Sequence, residues 1–139
     1  MVGVVVATHG ELAEVLLRTV GAVCGPLESA RAVTLSHVEA IDVARADLAK
    51  AISEVDDGDG VLVLTDMLGG TPANLALTFL DEKVEVITGV NLPMILKLAT
   101  ARADSLALRA AAELVTSYGQ KNITLASELL RSRARTSRT

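Results

Sequence analysis

Short runs of β-branched apolar residues alternate with amphipathic helical stripes along almost the whole chain, and nothing else in it limits the fold as tightly. Residues 2–8 form one continuous apolar run, as expected of a strand buried on both faces. Residues 11–23 follow, with Leu12, Val15, Leu16, Thr19, Val20 and Val23 on one helical stripe. The alternation continues with a strand at 30–35, a helix at 38–55 and a strand at 61–66. Ile41, Ala44, Leu48 and Ile52 are the expected inward face of that helix. The segment TPANLALTFL then opens a helix with Thr71 as N-cap and Pro72 at its first position. A strand at 84–88 and a helix at about 93–100 come next. A further helix spans 104–118, between Asp104 as N-cap and Gly119 as C-cap. Strand–helix alternation of this kind predicts an α/β fold: a doubly wound, mostly parallel open sheet with helices on both faces.

Composition agrees. Half of the 139 residues are apolar, yet there is one Phe, one Tyr and no Trp, so the core is built from Val, Leu, Ile and Ala. These residues divide naturally between strands and helices. The length suits one domain, expected over residues 1–126. Residues 127–139 read as a basic, Ser/Thr-rich, solvated tail without regular structure. Residues 122–126 (NITLA) read as a last short strand, either an antiparallel edge or a strand that leaves its own subunit to pair with a neighbour.

Charge and cysteine content narrow the function. The net charge is −4, and Arg131, Arg133, Arg135 and Arg138 face only Glu128 in the tail, so the body is more acidic still. An acidic body is a poor match for nucleic acid. A basic tail could touch an acidic or membrane surface, but solvation is the plainer reading. Cys24 is the one cysteine, which allows no internal disulfide and suits a reducing compartment. The opening apolar run is short and no run is long enough to span a membrane, so a cytoplasmic protein is expected.

In open α/β sheets, ligands collect at the carboxyl ends of the strands. Three strand ends carry polar or glycine-rich sequences here: ATHGE at 7–11, LTDMLGGTP at 64–72 and TGVNLPM at 88–94. His9 alone would read as a polar cap on the sheet edge. Asp66 at a matching strand end changes that, because a carboxylate bonded to one imidazole nitrogen fixes the tautomer and leaves the other as a nucleophile. Gly69 and Gly70 permit close backbone approach, and the helix opened by Thr71 and Pro72 favours an anion at its start. Nucleophile, orienting acid and anion cradle together point to a histidine that is itself phosphorylated. His37, at the exit of the second strand, reads as a rim residue.

Other readings lack their motifs. The chain has no P-loop, no G-x-G-x-x-G after the first strand and no G-x-S-x-G elbow. The acidic cluster of receiver domains is replaced by Thr8-His9-Gly10, and Cys24 with Arg31 misses phosphatase-loop spacing by one residue. Two histidines and distant carboxylates give no metal site.

In order and spacing, ATHG, DMLGGTPAN and GVNLPM resemble the IIA component of the mannose family of the phosphoenolpyruvate-dependent sugar phosphotransferase system. The resemblance runs from residue 1 to about residue 125. It implies that His9 is phosphorylated, that Asp66 is its hydrogen-bond partner and that Thr71 helps bind the phosphoryl group. It also implies a homodimer in which the C-terminal strand is exchanged. HPr would be the donor and a histidine of a separate IIB protein the acceptor, with no cofactor and contact with the membrane only through permease components. A regulatory phosphoprotein that signals without sugar transport is the alternative within the same chemistry. The chain departs from the family where Trp is frequent (Leu68) and where a bulky residue follows the proline (Ala73), so the partner surface is expected to differ.

Overall fold

The run of valines at the start forms β1, Gly3–His9, the strand about which the rest is arranged. The computed structural model describes residues 1–35 and 40–137. After β1 come α1 (Leu12–Cys24), β2 (Ala30–Leu35), α2 (Ile41–Val55), β3 (Val61–Thr65) and α3 (Thr71–Leu77). The chain continues with β4 (Val84–Thr88), α4 (Leu92–Ala101), a 3₁₀ turn at Arg102–Asp104, α5 (Leu108–Lys121) and α6 (Ala126–Ser137). His37 and the expected beginning of the second helix lie outside the described residues.

The strands pair in the order β2-β1-β3-β4, every pair parallel. Strands alternate their side chains between faces, and β1 shows the consequence. Val4 and Val6 pack with Leu62, Leu64 and Ile87 beneath Ala13, Val20, Ile95, Leu98 and Val115, the layer of α1, α4 and α5. Val5 and Ala7 pack with Val33, Val61 and Val63 against Ala44, Leu48, Ala51, Leu75 and Ala76, the layer of α2 and α3. With helices on both sides, the inner strands need apolar residues at nearly every position, which is why β1 and β3 read as unbroken runs. Leu64 is fully buried, and Leu64→Ala should cost about 2–5 kcal/mol.

The chain moves outward from β1 to β2 and then returns across the sheet to β3. The strand order therefore reverses between β1 and β3, and ligand sites form at such a reversal, beyond the carboxyl ends of the strands. His9 is the last residue of β1, and Asp66 follows directly after β3.

Several local expectations are corrected. No strand forms at 122–126. Asn122 Nδ2 donates to the Tyr118 carbonyl at 2.8 Å, and the Leu125 carbonyl accepts from Glu128 and Leu129. The segment thus turns from α5 into α6 instead of extending, since a strand with no partner leaves its backbone groups unpaired. The tail expected to lack regular structure is helical over Ala126–Ser137, consistent with its content of Leu, Arg, Ala and Glu. Asp104 ends the 3₁₀ turn, and α5 starts only at Leu108 because Ser105 takes a left-handed conformation, φ 57°. Gly119 lies inside α5, where a side chain would strike Met94. Gly70, not Thr71, is the N-cap of α3. The buried stripe of α1 is Ala13, Val20 and the partly covered Leu16 and Leu17, while Leu12, Val15 and Val23 are exposed. Ile41 of α2 is exposed as well.

Candidate functional site

Thr8, the residue before His9, is fully buried, and its Oγ1 accepts the backbone N–H of Ala13 at 2.7 Å. The first N–H groups of a helix lack intrahelical partners, and Glu11 supplies no side-chain cap to α1. Thr8 fills that role from the strand. It ties the start of α1 to the end of β1 and fixes the turn that carries His9. Sequence reasoning passed over this residue; its only signal is a hydroxyl closing an otherwise apolar strand.

The His9 ring and the Asp66 carboxyl meet across the gap between β1 and β3. His9 Nδ1 lies 2.8 Å from Asp66 Oδ2, and the His9 backbone N–H donates to the same oxygen at 3.2 Å. The other oxygen, Oδ1, accepts from the Met67 backbone at 3.1 Å. Partial burial pushes the Asp66 carboxyl up, but the bonds from the His9 ring and backbone together outweigh it and hold the acid below its ordinary value. An ionised carboxylate only accepts, so Nδ1 carries the proton in this pair and Nε2 is the nitrogen with the lone pair when the ring is neutral. The ring keeps 30% of its side chain exposed and the acid 15%.

Nε2 lies on the side of the glycine loop. A Cβ placed on Gly70 would stand 3.0 Å from Nε2 and 2.5 Å from Cε1 of His9. Gly69 has φ +90°, the region that favours glycine, and nothing lies within 4 Å of where its Cβ would be. Thr71 is the first residue of α3 and is exposed. Pro72 has no N–H, so the opening turn of this helix offers the Thr71 and Ala73 amides. His9, Asp66, Gly69, Gly70 and Thr71 therefore lie along one edge of the sheet.

The third motif has a structural part in this edge. Gly89 and Val90 N–H groups donate to the Thr65 carbonyl at 3.0 and 2.9 Å, which anchors the end of β3 immediately before Asp66. Asn91 caps α4 by accepting from the Met94 backbone at 3.1 Å, and its Nδ2 donates to the Gly119 carbonyl at 3.1 Å. The rim carries exposed apolar side chains. Met67 is 55% and Leu68 70% exposed, and Leu12 and Val15 at the start of α1 are exposed on the same edge.

Comparison with known proteins identifies the family. Residues 3–116 match the family model EIIA-man, the PTS system fructose IIA component. The PTS system fructose-specific EIIA component of Bacillus subtilis is 29% identical over 132 residues, covering 94% of this chain and 90% of that protein. The PTS system mannose-specific EIIAB component of Escherichia coli is 33% identical over 105 residues, 74% of this chain and 32% of that protein. A solved PTS IIA protein associated with the fucose utilization operon of Streptococcus pneumoniae superposes with a TM-score of 0.80 at 28% identity, covering 92% of this chain and 95% of the other. The chain belongs to the EIIA-man family, the phosphotransfer components that serve as IIA in the sugar phosphotransferase system.

Proposed function

We propose that His9 is the phosphoryl carrier of this chain, accepting from phosphohistidine of HPr and passing the group to a histidine of a IIB protein for sugar uptake. The observation that carries this reading is the 2.8 Å contact between His9 Nδ1 and Asp66, which leaves Nε2 as the nucleophilic nitrogen. In the transfer, a bond forms between Nε2 and phosphorus as the bond from phosphorus to the donor nitrogen breaks. The Nδ1 proton stays in place, positive charge develops on the ring, and the Asp66 carboxylate faces it. The amides around Gly69, Gly70 and Thr71, with the Thr71 hydroxyl, hold the phosphoryl oxygens. The work is positioning and electrostatics, with no bound cofactor required. The exposed Met67, Leu68, Leu12 and Val15 supply an apolar rim for partner proteins that dock at the ring.

A homodimer is part of the proposal. β4 is a sheet edge, and a groove of about 420 Å³ lies beside it, lined by residues including Val86, Ile87, Ala112 and Thr116. Ile123 and Leu125 are exposed on the segment that would extend into a partner's groove. Sedimentation of the purified chain tests this: a dimer is expected, and a monomer at all concentrations rules exchange out. The working site is the cytoplasm, where phosphoenolpyruvate feeds the donor chain. Among the described residues, no helix is long and apolar enough to cross a membrane.

The decisive test is incubation with phosphoenolpyruvate, enzyme I and HPr. Wild-type chain should become labelled with acid-labile phosphate, and His9→Ala should not. Undiminished labelling of His9→Ala ends the assignment.

A further inference from the structure

Adjacent glycines in the loop after β3 are glycine for different reasons. At Gly69 the backbone itself favours glycine, with φ +90° and open space around it. At Gly70 the backbone is ordinary, φ −86° and ψ 168°, an extended conformation open to any residue. What excludes a side chain there is the His9 ring. A Cβ would lie 2.5 Å from Cε1, 3.0 Å from Nε2 and 3.6 Å from Met67 Cγ. To reach an ordinary van der Waals separation Cε1 would have to retreat by roughly 1 Å.

The ring has little freedom to retreat. Its backbone N–H and Nδ1 both bond to Asp66 Oδ2, at 3.2 and 2.8 Å. The strand end that carries it is tied to α1 through the Thr8 hydroxyl. Cε1 is covalently bonded to Nδ1 in a rigid ring, so moving one by an ångström disturbs the contact of the other with the acid.

We propose that Gly70 is a positioning residue for phosphoryl transfer: the space left by its missing side chain is the seat of the His9 imidazole. Any side chain at this position drives the ring out of its bond with Asp66. The inference rests on the phosphocarrier reading for its consequence, but the steric coupling between residues 9 and 70 stands apart from it.

Three measurements on the full chain test it. First, labelling of Gly70→Ala from phosphorylated HPr should be about 100-fold slower than wild type, the scale expected when a reacting group is misplaced by about an ångström. Second, nitrogen-15 spectra of the histidine side chains should show the Nδ1–H form of His9 in wild type and its loss in Gly70→Ala. Third, urea unfolding of Gly70→Ala, His9→Ala and the double variant forms a cycle. The destabilisation caused by alanine at 70 should vanish once the ring is gone, and the double variant should fold even if Gly70→Ala does not. Wild-type labelling by Gly70→Ala with its Nδ1–H signal intact, or equal destabilisation in both backgrounds, overturns the proposal. If His9→Ala is labelled like wild type, the carrier assignment fails instead, while the spectra and the cycle still decide the role of Gly70.

Discussion

The two edges of the sheet each hold a cationic or ionisable side chain against a buried strand end, and they use it in opposite ways. At the amino end, Arg102 is 6% exposed, and its guanidinium donates to the carbonyls of Val2 at 2.8 Å and of Glu28. Burial pushes this guanidinium below its ordinary value, and the charges of Glu28 and Asp57 partly oppose that. Nη1 and Nη2 donate to backbone while the buried Nε has no partner among the described residues, and the side chain works as a tie between the start of β1, the loop before β2 and the end of α4. At the carboxyl end, His9 is fixed through its Nδ1 and backbone while its ring stays partly open to solvent. A buried cation bonded to the carbonyls of separate segments holds those segments together. A ring oriented by a carboxylate and partly open to solvent can react.

Exchanging the properties of the two ends is the sharpest way to break this comparison. Arg102→Met removes the tie and leaves buried carbonyls unpaired, so stability should fall by about 3 kcal/mol while the folded fraction is still labelled from phosphorylated HPr. His9→Ala should do the reverse, with labelling abolished and the urea midpoint nearly unchanged. Loss of labelling on substituting Arg102, measured where that variant is fully folded, would erase the distinction.

Asp66→Asn sharpens the account of the carboxyl end. The amide keeps the shape but loses the charge facing the ring, so labelling should slow about 100-fold. Single-turnover labelling with phosphorylated HPr checks this, and an unchanged rate would remove Asp66 from the chemistry. Thr8→Val probes the support behind the ring. It deletes the acceptor for the Ala13 N–H and should cost about 1 kcal/mol, with Thr8→Ser restoring stability, as read from urea midpoints.

The smallest effect is the pH dependence of the pair. The Asp66 carboxyl is held below its ordinary 3.8, so the unfolded chain binds its proton more readily than the folded one. Its contribution is complete above the ordinary value and disappears as pH falls through the lowered one. Urea midpoints of wild type should therefore drop more steeply between about pH 5 and pH 3 than those of Asp66→Asn. Parallel slopes would contradict the pairing.

Much of the architecture was legible in the chain because the two inner strands, β1 and β3, are covered on both faces and are almost wholly apolar. β1 and β3 followed from that constraint, and β2 and β4 from their short β-branched runs between turns. The pairing of His9 with Asp66 followed from two polar strand ends in a parallel sheet. What the chain did not disclose depends on its surroundings. NITLA has the residues of a strand but no neighbour within its own subunit, so in the single chain it joins two helices. The Arg-rich end looked irregular because it is basic and rich in Ser and Thr, yet its Leu, Ala and Arg are helix formers that need only local bonds. The stripe of α1 was read correctly at Leu16 and Val20 but too broadly, since Leu12, Val15 and Val23 are apolar yet exposed. Thr8 and Gly70 act through contacts with residues elsewhere in the fold, Ala13 and His9, and neither contact leaves a pattern in the sequence.

The most direct test of the central claim is to find where the phosphoryl group goes. Wild-type chain is labelled with phosphoenolpyruvate, enzyme I and HPr, digested at neutral pH and mapped by mass spectrometry, with nitrogen-15 and phosphorus-31 spectra of the intact protein naming the atom. The account predicts an acid-labile phosphate on Nε2 of His9. Phosphate on His37, on Nδ1 of His9 or on a hydroxyl side chain would contradict it.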